Sequence, residues 1–207
     1  MRLNFHWVRH GGLALSFSSY ESIEKFSMNL IQNLYFILAS IGRPFGGIRP
    51  RRIMNLLGRK AFDEKSLSNG LCKIKTNWGG IMNLHPFYFL DREVISNGCY
   101  DFPLHSFLDS YLKPGMVVLD VGANIGEMTL HISKLIEKNG VVYAFEPAPK
   151  IMSRLKENIK VNKYASNIIL KSEALSNQNG YSTLAVAETN VENQGMGSLV
   201  SKNNDVV

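Results

Sequence analysis

The feature that most constrains the fold is a regular alternation of short apolar runs and helix-like segments between residues 116 and 175. MVVLDVG, VVYAFEP and NIILKSEAL have the length and composition of strands, whereas GEMTLHISKLIEKNG and APKIMSRLKENIKVNK repeat apolar residues at helical spacing. Strands that alternate with helices favour a parallel sheet, because short right-handed crossovers permit little else. We therefore expect an α/β fold with a doubly wound, mostly parallel sheet whose first two strands are covered on both faces.

The rest of the chain predicts a helical and hairpin extension ahead of this domain. We divide the chain into a basic N-terminal extension (1–60), a hairpin and helix leading into the domain (61–113) and a partial domain (114–207). The hairpin consists of LCKIKTNW and IMNLHPFYFL on either side of two glycines, after a linker at FDEKSLSNG, and the helix is HSFLDSYL, which stops at KPG. After residue 177 we expect one further strand and then loop and tail.

The net charge of +6 is concentrated in one segment. Residues 1–60 carry nine Lys and Arg against Glu21 and Glu24, whereas residues 61–207 carry fourteen against fifteen Asp and Glu. The near-neutral main part argues against a basic nucleic-acid groove, so no nucleic-acid partner is expected. The basic segment leaves open a peripheral contact with a membrane surface or an anionic partner.

The most apolar stretch of the basic segment is MNLIQNLYFILASIG, residues 28–42. It is shorter than the roughly 20 residues that span a bilayer. Its helical spacing admits a helix packed on the domain through Leu30, Leu34, Ile37 and Ile41, a membrane-surface helix, or a disordered segment. With no signal-peptide pattern and only two cysteines, Cys72 and Cys99, the sequence predicts a cytoplasmic protein without a metal site.

A glycine-bounded loop lies between the first strand and the first helix of the alternating region. It reads Gly122-Ala123-Asn124-Ile125-Gly126 and falls at the carboxyl end of its strand, where open parallel sheets bind their ligands. Glycine permits a sharp turn and a close approach of the ligand to the backbone. The loop therefore predicts a ligand site at the start of the following helix.

The residues around the loop narrow the class of ligand. No Gly-Lys-Ser/Thr ending is present, and the three glycines of a dinucleotide fingerprint are not at their required offsets. Instead Asp120 precedes the loop and Glu146 ends the next strand, where a carboxylate accepts hydrogen bonds from ribose hydroxyls. These features favour a nucleoside-bearing ligand without a pyrophosphate and disfavour a nicotinamide-dependent oxidoreductase.

DVGANIG, followed by VYAFEP and EALS, resembles the Rossmann-like S-adenosylmethionine-dependent methyltransferases of the FkbM type. The resemblance extends over residues 78–199 and includes the LKPGMVVLDVGANIGEMTL entry, the FEPAP turn and an Asn-x-Gly-x-x-Ser run at residues 193–198. It implies S-adenosylmethionine as cofactor. It also implies O-methylation of a hydroxyl on a sugar or natural-product acceptor, that is, a small-molecule or glycan partner.

The resemblance also implies roles for individual residues. The loop would line the methionine part of the cofactor, Asp120 would support the loop, Glu146 would bind the ribose, and residues near the next two strand ends would contact adenine. A Tyr-Asp pair stands where the family has Tyr-Glu near the cofactor. The implied cofactor-binding residues are Asp120, Gly122, Ala123, Asn124, Gly126, Glu146, Pro147, Glu173, Ala174, Tyr100 and Asp101.

No catalytic residue can be assigned from the sequence. His85, His105 and His131 are candidate bases for removing a hydroxyl proton, but a lone histidine is more often structural. The family continues beyond the third strand with a Lys-x-Asp-x-Glu-Gly strand, which this chain lacks, so we expect a first half-sheet with a bare edge and exposed apolar surface on the first strand. Two hypotheses remain open: a methyltransferase that is a fragment or is completed by another chain, and a truncated, non-catalytic binding module.

Overall fold

The structure is a computed structural model of the 207-residue chain. It describes residues 4–8, 12–16, 30–42, 51–62, 71–186 and 197–200. Most of the predicted linker after Phe62 and most of the tail lie outside these ranges. The chain divides into two compact units, Met1–Tyr100 and Asp101–Val207, and each is considered by itself.

The described part of the first unit consists of antiparallel hairpins and helices. In chain order these are β1 (Asn4–Val8), β2 (Gly12–Ser16), α1 (Leu30–Gly42), α2 (Arg51–Ala61), β3 (Cys72–Lys75), β4 (Ile81–Leu84) and α3 (Phe89–Asn97). The pairing of β3 with β4 confirms the predicted hairpin. The expectation that its second strand continues to Leu90 is wrong, because the chain turns at Pro86, which lacks a backbone donor, and α3 begins at Phe89.

Helix α1 forms where its apolar spacing predicts, but it buries a different face from the expected one. Tyr35, Phe36 and Ala39 are buried, whereas Leu34 of the predicted stripe is 45% exposed. The Tyr35 hydroxyl lies 2.9 Å from the Ser96 hydroxyl of α3, so the polar group on the buried face has a partner. The contacts agree with the packed-helix interpretation. No helix in the described ranges is long and apolar enough to cross a membrane.

The second unit contains the predicted alternation. It comprises α4 (Phe102–Tyr111), β5 (Val117–Val121), α5 (Glu127–Ile136), β6 (Val141–Phe145), α6 (Pro149–Lys160) and β7 (Ile168–Lys171). Strands β5, β6 and β7 pair in parallel in that order, which confirms the α/β fold and the parallel sheet. Helix α5 ends before the predicted stop at Gly140, and β7 ends at Lys171 rather than Leu175.

Both α5 and α6 cover one face of the sheet. Val142 and Ala144 of β6 are fully buried and pack beneath Ile136 of α5 and Leu155 of α6, respectively. The strand order runs in one direction, so crossovers of one hand place successive helices on the same side. We call this side of the sheet the covered face.

The opposite side of the sheet is the open face, defined by Val117, Leu119 and Val121 of β5 and Ile169 of β7. The three β5 residues are 59–63% exposed and Ile169 is 41% exposed. The expectation that the first strand is covered on both faces is therefore wrong for the described residues. The expectation of exposed apolar surface on this strand is confirmed, and β5 is also the edge of the sheet.

The segment after β7 differs from the predicted loop and tail. The expected further strand is β8 (Thr183–Val186), but it pairs antiparallel with β9 (Gly197–Val200). Strand β9 lies in the stretch predicted as loop and tail, because GSLV is too short to show alternation and lies among polar residues.

Candidate functional site

The loop after β5 is folded tightly between β5 and α5. Gly122, Asn124 and Gly126 adopt positive φ angles of 80°, 49° and 90°. The N–H groups of Gly122 and Ala123 both donate to the carbonyl oxygen of Phe145, each at 2.9 Å. The loop is therefore fixed across the carboxyl ends of two neighbouring strands, the place where parallel sheets bind ligands.

Every backbone N–H of this loop has an acceptor within the chain. Besides the two bonds to Phe145, Asn124 donates to Glu146 Oε2 at 3.0 Å, Ile125 donates to Asn124 Oδ1 at 2.8 Å, and Gly126 donates to the carbonyl of Ala123 at 2.9 Å. A phosphate-binding loop needs such groups to point at the ligand. The N–H groups of residues 122–126 therefore form no such cradle, and the absence of a pyrophosphate from the ligand stays a prediction.

The two glycines of the loop meet different surroundings. A Cβ atom at Gly126 would lie 2.4 Å from Cδ1 of Leu155, so the absence of a side chain lets the loop pack closely on α6. A Cβ at Gly122 would meet no atom within 4 Å. The open space beside Gly122 is therefore available to a ligand.

Glu146 follows β6 and is 8% exposed. Its Oε2 accepts the Asn124 N–H, and its Oε1 accepts the Ala148 N–H at 2.9 Å. These bonds tie the loop to the start of α6, a structural role that the sequence did not predict. A carboxylate has about four acceptor positions, so capacity for ribose hydroxyls is left, and that role stays a prediction.

Asp120 lies on the covered face near the end of β5. Its Oδ2 accepts the Thr129 hydroxyl at 2.5 Å. Burial raises the pKa of Asp120 above its usual value, and the negative charges of Glu127 and Glu146 raise it further, whereas the Thr129 hydrogen bond lowers it. Burial and the neighbouring carboxylates therefore destabilise ionised Asp120, and a positive charge nearby would offset this cost.

The charges around the loop are acidic. Residues 114–133 contain no Lys or Arg, and Glu127 and Glu146 are close enough to Asp120 to raise its pKa. Carboxylates close together create a negative potential that opposes phosphate and attracts a cation. The carboxylates and the occupied N–H groups thus both favour a ligand without a phosphate.

The remaining predicted residues occupy more varied positions. Pro147 is half-buried between β6 and α6. Because β7 ends at Lys171, Glu173 and Ala174 lie in the following segment and not at the strand end; Glu173 is exposed and Ala174 is half-buried. Contact of these residues with adenine stays a prediction.

Tyr100 and Asp101 were predicted as a pair near the cofactor. Asp101 caps α4, because its Oδ1 accepts the Leu104 N–H at 3.1 Å. Tyr100 is the last residue of the first unit and is 39% exposed. The cap gives Asp101 a structural role, and the expected contact of either residue with the ligand stays a prediction.

Two residues outside the predicted set help to hold the loop. Thr129 bonds to Asp120, and fully buried Asn158 donates its Nδ2 to the Ile125 carbonyl at 2.9 Å. The buried position of Asn158 could have been predicted, because it lies at helical spacing from the apolar residues Ile151 and Leu155 on the buried side of α6. A polar residue on such a face requires a partner inside the protein.

The three candidate bases all have structural partners. His85 accepts a main-chain N–H within the first unit. In the second unit His105 Nε2 lies 2.8 Å from Glu127 Oε1, and His131 Nε2 lies 2.9 Å from Asp109 Oδ1. Burial lowers the pKa of His131, and the adjacent His105 lowers it further. These contacts favour the structural interpretation of the histidines.

Two further features lie away from the loop. A cavity of about 410 Å³ adjoins the C-terminal end of α5 and is lined by Ser133, Lys134, Glu137, Lys138, Asn139 and Tyr164. Within the described ranges no three His, Cys, Asp or Glu side chains are arranged to hold a metal ion. Cys72 and Cys99 are both buried, and burial together with Asp91 raises the pKa of the Cys72 thiol to about 12.

Comparisons with known proteins find similarity over part of the chain. Residues 104–186 match the family model described as Fibrillarin, and this segment includes the loop, Asp120 and Glu146. Over 81 residues the chain is 41% identical to the 31-O-demethyl-FK506 methyltransferase FkbM of Streptomyces tacrolimicus, covering 39% of this chain and 28% of that protein. The resemblance to FkbM-type methyltransferases is confirmed over this stretch, which is well under half of the relative's length.

Solved structures align with part of the chain. TYW2 of P. horikoshii in complex with MeSAdo has a TM-score of 0.37 and 20% identity, covering 51% of this chain and 36% of that one. The SAM-dependent O-methyltransferase of Thermotoga maritima has a TM-score of 0.34 and 19% identity, covering 51% and 41%.

Proposed function

We propose that this chain binds S-adenosylmethionine at the loop of residues 122–126 and serves methyl transfer to a hydroxyl of a small-molecule or glycan acceptor. The observation that carries the proposal is the loop itself. Its N–H groups are all bonded within the chain, it lies across two parallel strand ends, and carboxylates surround it. Such a site suits a nucleoside with a positive charge better than a phosphorylated one.

The sulfonium of S-adenosylmethionine carries that positive charge. A cation near Asp120 favours its ionised form and offsets the effect of Glu127 and Glu146 on its pKa. Gly122 leaves space for the ligand beside the turn, and Glu146 retains acceptor positions for the ribose hydroxyls. In this proposal the sulfonium lies near Asp120, and Glu146 binds the ribose hydroxyls.

The acceptor is proposed from the relative and not from the site. The name of the Streptomyces tacrolimicus protein describes methylation of 31-O-demethyl-FK506, an oxygen acceptor. The cofactor supplies an activated methyl group, whose transfer needs alignment more than acid or base assistance. This chain's contribution is to fix the loop rigidly, through Phe145, Glu146 and Asn158, and to orient the ribose.

One observation supports the alternative of a binding module without turnover. The open face of the sheet is apolar and exposed beside the strand that leads into the loop. An acceptor held only by such a surface would have little fixed orientation, and misalignment is costly in methyl transfer. Binding of the cofactor without methylation of any hydroxyl acceptor would favour this alternative.

Calorimetry with S-adenosylhomocysteine tests the proposal on the full chain. Gly122→Arg places a side chain in the open space at the loop, and we expect it to weaken binding at least about tenfold. Gly115→Arg is the matched control, because Gly115 also has a positive φ angle and no atom within 4 Å of a Cβ, yet it precedes β5 at the opposite end of the strand. Equal affinities of the two variants would contradict the site.

The role of Glu146 is tested by a second pair of variants. Glu146→Ala removes both the loop contact and the ribose acceptor, so we expect a loss of about tenfold or more. Glu157→Ala, on the exposed side of α6, is the control and should bind as the unsubstituted chain does. If ATP bound as tightly as S-adenosylhomocysteine, the exclusion of phosphate would be wrong.

A further inference from the structure

A buried polar cluster outside the loop joins α4 to α5. The rings of His105 and His131 stack with centroids 4.3 Å apart and an interplanar angle of 24°. His105 Nε2 lies 2.8 Å and 3.0 Å from the two oxygens of Glu127, and His131 Nε2 lies 2.9 Å from Asp109 Oδ1. His105, His131 and Glu127 are at most 4% exposed, whereas the Asp109 side chain is 58% exposed.

The two histidine–carboxylate pairs differ in their relation to the loop. Glu127 is the first residue of α5, directly after Gly126, and its negative charge raises the pKa of Asp120. Asp109 lies on α4 and is not among the groups that shift Asp120. A buried carboxylate keeps its position only when hydrogen bonds hold it. The His105 pair therefore holds a carboxylate that adjoins the loop, whereas the His131 pair holds an exposed carboxylate on α4.

We propose that His105 is a positioning residue that holds the Glu127 carboxylate at the start of α5 and thereby sets the preference of the loop for a cationic ligand over a neutral one. The proposal rests on the proposed function, since S-adenosylmethionine carries a sulfonium and S-adenosylhomocysteine a neutral thioether. His105 acts only through Glu127 and needs no contact with the ligand.

The preference is measured as the ratio of the dissociation constants for S-adenosylhomocysteine and S-adenosylmethionine. If His105 had a purely structural role, its loss would weaken the binding of both ligands equally and leave this ratio unchanged. Glu127→Gln keeps the shape of the side chain and removes its charge, and we expect the ratio to fall about fourfold, because a unit charge acts over many ångströms at the effective dielectric of a protein. His105→Leu should lower the ratio in the same direction.

Two variants serve as controls for the His105 effect. His105→Gln retains a nitrogen donor for Glu127 and should restore the ratio. His131→Gln perturbs the same stack but acts on the exposed Asp109 pair, and the ratio should stay unchanged. Thermal unfolding of each variant establishes that it folds. If His105→Leu does not fold, Glu127→Gln provides the test.

Each outcome decides the proposal. A ratio that is unchanged in Glu127→Gln, or that falls equally in His131→Gln, would overturn the role of His105 while leaving cofactor binding intact. If the unsubstituted chain binds neither ligand, the proposed function fails and the selection by His105 fails with it. A lower ratio in Glu127→Gln and His105→Leu, restored in His105→Gln, supports the proposal.

Discussion

The two faces of the parallel sheet have similar residue types but opposite environments. On the covered face Val142 and Ala144 are fully buried under α5 and α6. On the open face Val117, Leu119 and Val121 of the neighbouring strand are 59–63% exposed. Burial here is decided by which side the helices pack on, and not by the hydrophobicity of the strand.

The difference also explains where the site is well defined. Asp120 shares the covered face with Ala144, its partner in the register of β5 and β6. From that side α5 supplies Thr129, and α6 supplies Asn158 to hold the loop. The contacts that fix the loop of residues 122–126 therefore depend on the covered face, while the open face contributes exposed apolar surface beside it.

The largest expected effect on stability comes from truncating a leucine that packs on the covered face, in comparison with a leucine of the open face. Leu155→Ala removes a fully buried side chain beneath the loop, and we expect the free energy of unfolding to fall by about 3 kcal/mol. Leu119→Ala removes a side chain that is 60% exposed and should change it by no more than about 0.5 kcal/mol. Urea denaturation of both variants measures this; equal losses would show that the open face is buried in solution.

A second prediction concerns the close packing of the loop on α6. Gly126→Ala combines a positive φ angle with the 2.4 Å approach to Leu155, and we expect a loss of about 2 kcal/mol. In a Leu155→Ala background the overlap disappears, so the same substitution should cost only about 1 kcal/mol, from the backbone conformation. A double-mutant cycle by urea denaturation measures the coupling. Strict additivity would contradict the predicted contact.

Asp120 gives a pH-dependent prediction of smaller size. Because the folded chain raises the pKa of Asp120, this group favours the folded state below about pH 4, where the unfolded chain also holds the proton, and the contribution is lost as pH rises through the folded pKa. Asn cannot ionise, yet its oxygen still accepts the Thr129 hydroxyl. Thermal unfolding should therefore show Asp120→Asn gaining on the unsubstituted chain as pH rises from 4 to 7. A difference that is independent of pH would contradict the raised pKa.

The order of strands and helices could be predicted because local sequence patterns determine it. Apolar runs between glycines and prolines located β5, β6, β7, α5 and α6 to within a few residues, and the loop at Gly122 followed from them. The covered side could not be predicted. Runs such as VVLDV place apolar residues on both faces, and only the partners in the fold distinguish Val118 from Val117.

The site was predicted in part for a related reason. Asp120, Glu146 and the glycines stand at strand ends, where topology alone brings them together. Thr129 and Asn158 approach the loop from helices, and their position depends on helix packing that the spacing does not fix. The use of Glu146 to bind two N–H groups was hidden as well, because a strand-end acid suits a ribose and a backbone amide equally.

The smallest effect on stability is expected on the open face, where the change should appear in surface properties. Leu119→Ser lowers the apolar content of an exposed edge strand, which is prone to pair with other chains. We expect less binding of a hydrophobic dye and less self-association at high concentration, with an almost unchanged midpoint of urea denaturation. Leu175→Ser is the matched control, because Leu175 is 47% exposed but lies outside the sheet. If both variants reduced dye binding equally, exposed leucines in general would account for it, and the open face would lose its distinction from the rest of the surface.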